Sequence, residues 1–171
     1  MTDLPALSTA TRAGAVLALC AILFGYVLGG LFGFNEEAVK SRIDARADAV
    51  ITTVYNGDVA ARNSVVAKSW DYLKRAHMHG GGIGAAALAA IIAIVLMGDR
   101  DRLADLTSLA LGAGALLYSV YWLMAGFRAP GMGSTGAAKE SLAFIAVPGA
   151  GLSLLGVAGA ILIVIRGRRS G

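Results

Sequence analysis

Residues 70–98 read WDYLKRAHMHGGGIGAAALAAIIAIVLMG. The segment begins with aromatic and charged side chains, passes two histidines and three consecutive glycines, and carries no charge from Ile83 to Met97. Counted from Met78 to Met97, it has the length of about 20 residues that a helix needs to cross the hydrocarbon core of a bilayer. It therefore predicts a membrane span with ionisable side chains gathered at one end.

The composition of the whole chain is that of a membrane protein. Of its 171 residues, 57% are hydrophobic and 15% are charged, whereas soluble domains carry about 25% charged residues. The net charge of +4 does not indicate nucleic acid, because Arg166, Arg168 and Arg169 follow an apolar segment, where a membrane surface attracts them. The single cysteine, Cys20, excludes an internal disulfide, and we interpret it as a small buried side chain.

Four apolar segments predict transmembrane helices, at residues 12–34, 78–97, 103–127 and 142–165. The first segment is too long for the core of a signal peptide, so we predict that it is retained as a span. It contains Gly25, Gly29 and Gly33 at intervals of four residues, a spacing that lets a neighbouring helix approach one face closely.

The one long polar segment, residues 35–76, lies between the first two spans. Apolar residues recur at three- and four-residue steps in residues 36–55 and again after Asn56-Gly57-Asp58, which is a turn signal. The segment predicts two helices folded back on each other, the second of which can run unbroken into the second span. The predicted fold is a single domain of residues 1–171, an all-α integral membrane protein with four transmembrane helices and an extramembrane helical hairpin between helices 1 and 2.

Four spans place both termini on one side of the membrane. The arginine tail beside the fourth span predicts that this side is the cytoplasm, at a bacterial inner membrane, although the hairpin also carries basic residues. Residues 128–141, rich in Gly, Ser and Thr, predict a loop on the opposite face. This topology brings together most of the chemically active side chains, namely Trp70, Tyr72, Lys74, Arg75, His77, His79, Ser134, Thr135, Lys139 and Glu140.

His77 and His79 are two positions apart, so they face opposite sides of a regular helix. The glycines at residues 80–82 permit an irregular backbone there. If the helix is regular, we expect only one histidine to point into the bundle. We choose His79, because it lies deeper in the membrane and an unpaired polar group costs more there.

Three interpretations of these histidines remain open. In the first, one of them, His79 above all, is an axial haem ligand or metal ligand supported by Glu140. In the second, a histidine donates a hydrogen bond to a quinone or an anionic headgroup, and Lys74 and Arg75 supply charge. In the third, both are polar residues that cap the span. The A-H-x-H sequence before an apolar helix resembles, over a short stretch, the histidine-bearing spans of haem-containing respiratory membrane proteins.

The sequence contains few residue patterns that are typical of catalytic sites. It has no HExxH helix, and its GGGIG segment lacks the Lys-Ser/Thr ending of a nucleotide-binding loop. The scarcity of ionisable residues within the spans counts against an ion-coupled transporter.

These features predict a small non-catalytic membrane subunit of a larger complex, a respiratory or photosynthetic redox assembly. Its expected partners are the lipid bilayer and other membrane subunits, without nucleic acid. The alternative is a subunit that binds haem b or quinone at the His77/His79 face, and a third hypothesis is a small transporter or channel.

Overall fold

The chain folds into five helices in a computed structural model that describes residues 7–97 and 101–167. They are α1 (Thr9–Asp48), α2 (Val59–Leu96), α3 (Arg102–Met132), the short α4 (Thr135–Glu140) and α5 (Ala143–Gly167). By length and composition, α1, α2, α3 and α5 are each long and apolar enough to cross a membrane. The prediction of an all-α fold with four candidate spans is confirmed, and the chain has the features of a membrane protein.

The third long helix is the centre of the arrangement. α3 packs along α1, α2 and α5, and α1 also packs along α2. By contrast, α2 and α5 barely touch, and no contact joins α1 to α5 within the described ranges. The four long helices therefore form a three-helix bundle of α1, α2 and α3, with α5 attached to the outside of α3.

The core has two parts along the length of α3. Around the N-terminal half of α3 the buried residues are mostly small, such as Ala18, Ala87 and Ala115. Around its C-terminal half they are large and aromatic, such as Phe32 and Trp122. The helices are thus closest together at one end of the bundle and are separated by rings at the other.

Glycines bring α1 and α2 into backbone contact. A methyl group added at Gly25 would meet the backbone of Gly80 and Gly81, and one added at Gly80 would lie 2.9 Å from the Ala21 carbonyl oxygen. Gly29 faces the imidazole of His77, whereas Gly33 has nothing within 4 Å. The predicted packing face is therefore confirmed at Gly25 and Gly29 and is wrong at Gly33.

Glycines also bring α3 close to its other two neighbours. A methyl group at Gly112 would collide with the Gly14 carbonyl of α1, and one at Gly149 of α5 would lie 2.9 Å from the Tyr118 backbone nitrogen. Close approach of this kind is the main source of helix association in lipid, where burial of apolar surface gives no advantage. The α1–α2, α1–α3 and α3–α5 contacts all depend on it.

The segment between the first two candidate spans forms two helical segments folded back on each other, which we call the hairpin. Its first helix is the end of α1, which departs from helical geometry only at Asn35. The chain turns between Asp48 and Asp58, with positive φ at Asn56 and Gly57, and the Asp58 carboxylate caps α2. α2 then continues without interruption through the glycines at residues 80–82, so the backbone irregularity that they permit does not occur.

Two sequence predictions are wrong in the described part of the chain. Residues 128–141 are not a loop: α3 continues through Pro130 to Met132, Gly133 ends it with a φ of 64°, and α4 follows. Cys20 is exposed instead of buried, because its neighbours Ala18 and Ala21 take the face of α1 that meets the bundle. In the arginine tail used to predict the orientation, Arg168 and Arg169 lie outside the described residues.

Candidate functional site: two histidines and an aromatic cluster

His77 lies between α2 and α1. Its Nδ1 atom is 2.8 Å from the carbonyl oxygen of Gly25, and its ring meets Phe32 edge-on at 6.4 Å between centroids. A carbonyl oxygen only accepts hydrogen bonds, so Nδ1 carries the proton in this contact. Gly29 provides the space for the ring, since a methyl group there would lie 2.6 Å from the His77 Cε1 atom.

His79 lies on the opposite side of α2 and faces α3. Its ring stacks on Tyr118 with centroids 5.3 Å apart and an angle of 13° between the planes, and it meets Trp122 edge-on at 6.1 Å. The two histidines do face opposite ways, as predicted. The expectation that only one of them points into the bundle is wrong, because α2 is packed between α1 and α3 and both of these faces are covered.

His79 belongs to a cluster of rings, the aromatic cluster, made of Tyr72, His79, Tyr118, Tyr121 and Trp122. Trp122 is at its centre, with centroids 4.9 Å from Tyr72 and 5.0 Å from Tyr121. The Arg75 guanidinium lies 5.0 Å from the Trp122 ring and 5.5 Å from the Tyr72 ring, within the range of cation–π attraction.

One buried polar atom of this cluster lacks a partner. The indole Nε1 of Trp122 is buried and makes no hydrogen bond within residues 7–97 and 101–167. Buried polar groups nearly always find partners, and a donor left without one costs about 1–3 kcal/mol. The Trp122 N–H is therefore an uncompensated donor inside the aromatic cluster, enclosed by atoms of the chain itself.

The structure brings together only some of the predicted site residues. Arg75 and His79 join the aromatic cluster, whereas Lys74 forms an ion pair with Asp71 on the same helix at 2.9 Å. Glu140 is exposed at the end of α4. Within residues 7–97 and 101–167 it makes no hydrogen bond to either histidine, which removes the support that the ligand hypothesis assigned to it.

The aromatic cluster was not predicted from the sequence. Near the end of a candidate span, Tyr118, Tyr121 and Trp122 are typical of an interfacial belt, and their spacing of three and four residues from Tyr118 places them on one face of α3. Their contact with His79 depends on how α2 and α3 pack against each other. No local sequence pattern contains that information.

A haem held by both histidines does not fit this geometry. Axial ligands approach the iron from opposite faces of the porphyrin, and two side chains on opposite sides of one helix cannot do so. His77 is also enclosed by Gly25, Gly29 and Phe32. No group of three or more His, Cys, Asp or Glu side chains that could hold a metal ion occurs among the described residues.

The arrangement around His79 joins two parallel rings, those of His79 and Tyr118, to Trp122 and the guanidinium of Arg75. Comparison of the chain with protein-family models, with curated proteins and with solved structures finds no match.

Proposed function

We propose that the chain is a small non-catalytic membrane subunit that anchors or stabilises a larger respiratory or photosynthetic redox complex. The main observation behind this proposal is that glycines bring the helix backbones into contact at the α1–α2, α1–α3 and α3–α5 interfaces. Backbones in contact leave no room for a substrate path along these three interfaces. This favours a supporting role over a transporter or channel.

The length of the first two helices supports the same role. At 1.5 Å per residue, α1 with 40 residues extends about 60 Å, twice the hydrocarbon thickness of about 30 Å. We infer that the hairpin ends of α1 and α2 project from the membrane. There, Arg62 forms ion pairs with Asp44 at 2.6 Å and Asp48 at 2.9 Å, which join the two helices into a firm extramembrane support.

The surface inside the membrane is suited to contact with lipid and with other subunits. α5 covers α3 with one face only, and its other faces expose large apolar side chains such as Leu154 (72%) and Leu155 (68%). These exposed apolar side chains can pack against lipid chains or against a helix of a partner subunit.

The size of the extracted protein tests this proposal. A tagged chain, extracted in a mild detergent, should migrate on a native gel far above the mass of its 17.4 kDa monomer. Charge reversal at two exposed hairpin residues, Arg42→Glu with Lys68→Glu, should release the monomer. Arg102→Glu, an exposed change at the other end of the bundle, is the matched control and should not. A wild-type chain that is monomeric in every mild detergent contradicts the proposal.

The aromatic cluster favours a second function, in which the subunit binds a lipid-soluble quinone. The quinone ring would lie against the half-buried rings of His79 and Tyr118, next to Trp122. In a Trp70→Phe background, Trp122 is the only tryptophan, so quinone binding should quench its fluorescence saturably. His79→Ala should weaken the quenching and His77→Ala should not. Linear, unsaturable quenching contradicts a quinone site.

A further inference from the structure

A cavity of about 210 Å³ opens beside the kink of α1 at Asn35. Four of its lining residues follow each other on α1 at steps of three and four, which places them on one face of that helix, namely Leu31, Asn35, Ala38 and Arg42. Phe127 lines the cavity from α3. We call this the kink cavity.

The kink cavity lies at the boundary of the membrane on the hairpin side. Residues 12–34 and 103–127, the first and third candidate spans, both end on that side in a topology of four spans. Leu31 and Phe127 belong to these apolar segments, whereas Arg42 lies about two helical turns beyond the first of them. The cavity thus has an apolar wall at the edge of the hydrocarbon and a polar end at the level of the headgroups.

The polar end of the kink cavity carries positive charge. Arg42 has no ion-pair partner in the part of the chain that the structure describes. Arg46 follows it by one turn on the same face of α1. Its Nη1 donates to the Phe127 carbonyl oxygen at 2.7 Å, and its guanidinium lies 5.9 Å from the centre of the Phe127 ring, so a second cation is held next to the cavity.

The carboxylates in this part of α1 are paired with other cations. The pairs join Glu36 and Glu37 to Lys40, at 2.5 and 3.9 Å, and Asp44 and Asp48 to Arg62, at 2.6 and 2.9 Å. None of these four carboxylates lines the cavity. An anion from outside the chain would therefore neutralise Arg42 without breaking an existing ion pair.

We propose that the kink cavity binds the phosphate of an anionic phospholipid, with the glycerol and the start of an acyl chain against Leu31 and Phe127. The guanidinium of Arg42 presents parallel N–H donors whose spacing matches two phosphate oxygens. Asn35, the other polar residue of the lining, adds an amide donor.

The charges and the apolar wall distinguish this ligand from two others. A zwitterionic lipid carries an ammonium group beside its phosphate, and Arg42 and Arg46 repel that group, so a headgroup with net negative charge binds more tightly. An acidic peptide would match the arginines but would leave the wall of Leu31 and Phe127 without an apolar partner.

Native mass spectrometry of the full chain in detergent tests the proposal, with phosphatidylglycerol and phosphatidylcholine of identical acyl chains as probes. The parent should bind phosphatidylglycerol more tightly than phosphatidylcholine. Arg42→Gln should weaken phosphatidylglycerol binding about tenfold and leave phosphatidylcholine binding unchanged. Lys68→Gln is the matched control, because it removes the same charge at an exposed position of the other hairpin helix, outside the cavity lining.

A second variant tests the cavity without changing the charge. Ala38→Leu places a larger side chain in the cavity from an exposed position and should also weaken phosphatidylglycerol binding. Ala67→Leu, at an exposed position of α2, is its control. Circular dichroism should show the helix content of the parent in all four variants.

The proposal is overturned if the parent binds the two lipids equally, or if Arg42→Gln and Ala38→Leu bind phosphatidylglycerol like their controls. It is also overturned if inorganic phosphate at equal concentration displaces phosphatidylglycerol, because the apolar wall would then contribute nothing. If the two cavity variants change the migration of the chain on a native gel but not its lipid binding, the cavity is a surface for an acidic partner protein, and the lipid proposal fails.

Discussion

The Nδ1 atom of His77 lies 2.8 Å from the carbonyl oxygen of Gly25, at the point where α1 and α2 come into backbone contact. The Gly25 carbonyl lies within α1, so the imidazole donates a second hydrogen bond to an oxygen that already accepts one from a backbone N–H of the helix. His77 therefore links α1 to α2. This structural role accounts for an ionisable side chain near the start of the second candidate span without a bound cofactor.

The first prediction concerns this link. His77→Leu removes the hydrogen bond while roughly keeping the volume, and it should lower the free energy of unfolding by about 1 kcal/mol. His77→Asn places an amide N–H near the position of Nδ1 and should recover part of the loss. Equilibrium unfolding in mixed micelles measures both, with Met78→Leu as the control at an exposed neighbouring position. Equal stability of His77→Leu and the parent would show that the bond contributes nothing.

The second prediction concerns the glycines of α1. Gly25→Leu forces a side chain against the backbone of Gly80 and Gly81 and should cost about 1–3 kcal/mol of stability. Gly29→Leu should also destabilise the fold, because it displaces the His77 ring. Gly33→Leu, on the same helix and with open space around it, is the control and should melt like the parent. Similar losses at all three positions would contradict a packing role specific to Gly25 and Gly29, because leucine is the better helix former and helix propensity alone would stabilise each variant.

The third prediction concerns Tyr55 at the tip of the hairpin. Its hydroxyl donates to the Pro130 carbonyl oxygen at 2.7 Å, in the last turn of α3, where carbonyls lack a donor within the helix. Tyr55→Phe keeps the ring and should cost about 1 kcal/mol at neutral pH. Thermal unfolding of the two proteins measures the difference.

The pH dependence of that difference follows from the phenol. Burial raises the pKa of Tyr55 above its ordinary value, although the charge of Arg62 opposes the shift. Because the pKa is higher in the folded protein, the stabilisation is complete below the unfolded pKa of about 10 and is lost as pH rises through the folded pKa. The advantage of the parent over Tyr55→Phe should therefore disappear in strong alkali. A constant difference across that range would contradict the assigned bond.

The sequence predicts those parts of the fold that are encoded locally. A run of about 20 apolar residues identifies a span wherever its helix packs, so all four long helices were found. The turn at Asn56 and Gly57 was found for a similar reason, because both residues tolerate a positive φ.

Features that depend on helix pairing were missed. The Gly, Ser and Thr content of residues 128–141 suggested a loop, but α3 continues to Met132, and Tyr55 of the hairpin donates a hydrogen bond to the Pro130 carbonyl oxygen in its last turn. His79 was identified, yet its partners Tyr118 and Trp122 were not, since the contact arises only when α2 and α3 meet. Gly33 shares the spacing of Gly25 and Gly29, but it is exposed, and the neighbouring Phe32 makes the contact with α2 at this level.

The transmembrane topology is tested most directly by determining on which side of the membrane the hairpin turn and the start of α3 lie. In a Cys20→Ala background, which removes the one native thiol, single cysteines replace Thr52 in the hairpin turn and Arg102 at the start of α3, both exposed. In intact spheroplasts an impermeant maleimide should label Thr52→Cys, and it should label Arg102→Cys only after permeabilisation. The reverse pattern would contradict the orientation with cytoplasmic termini. Labelling of both cysteines without permeabilisation would contradict the central claim that these helices cross the bilayer and project the hairpin on the far side.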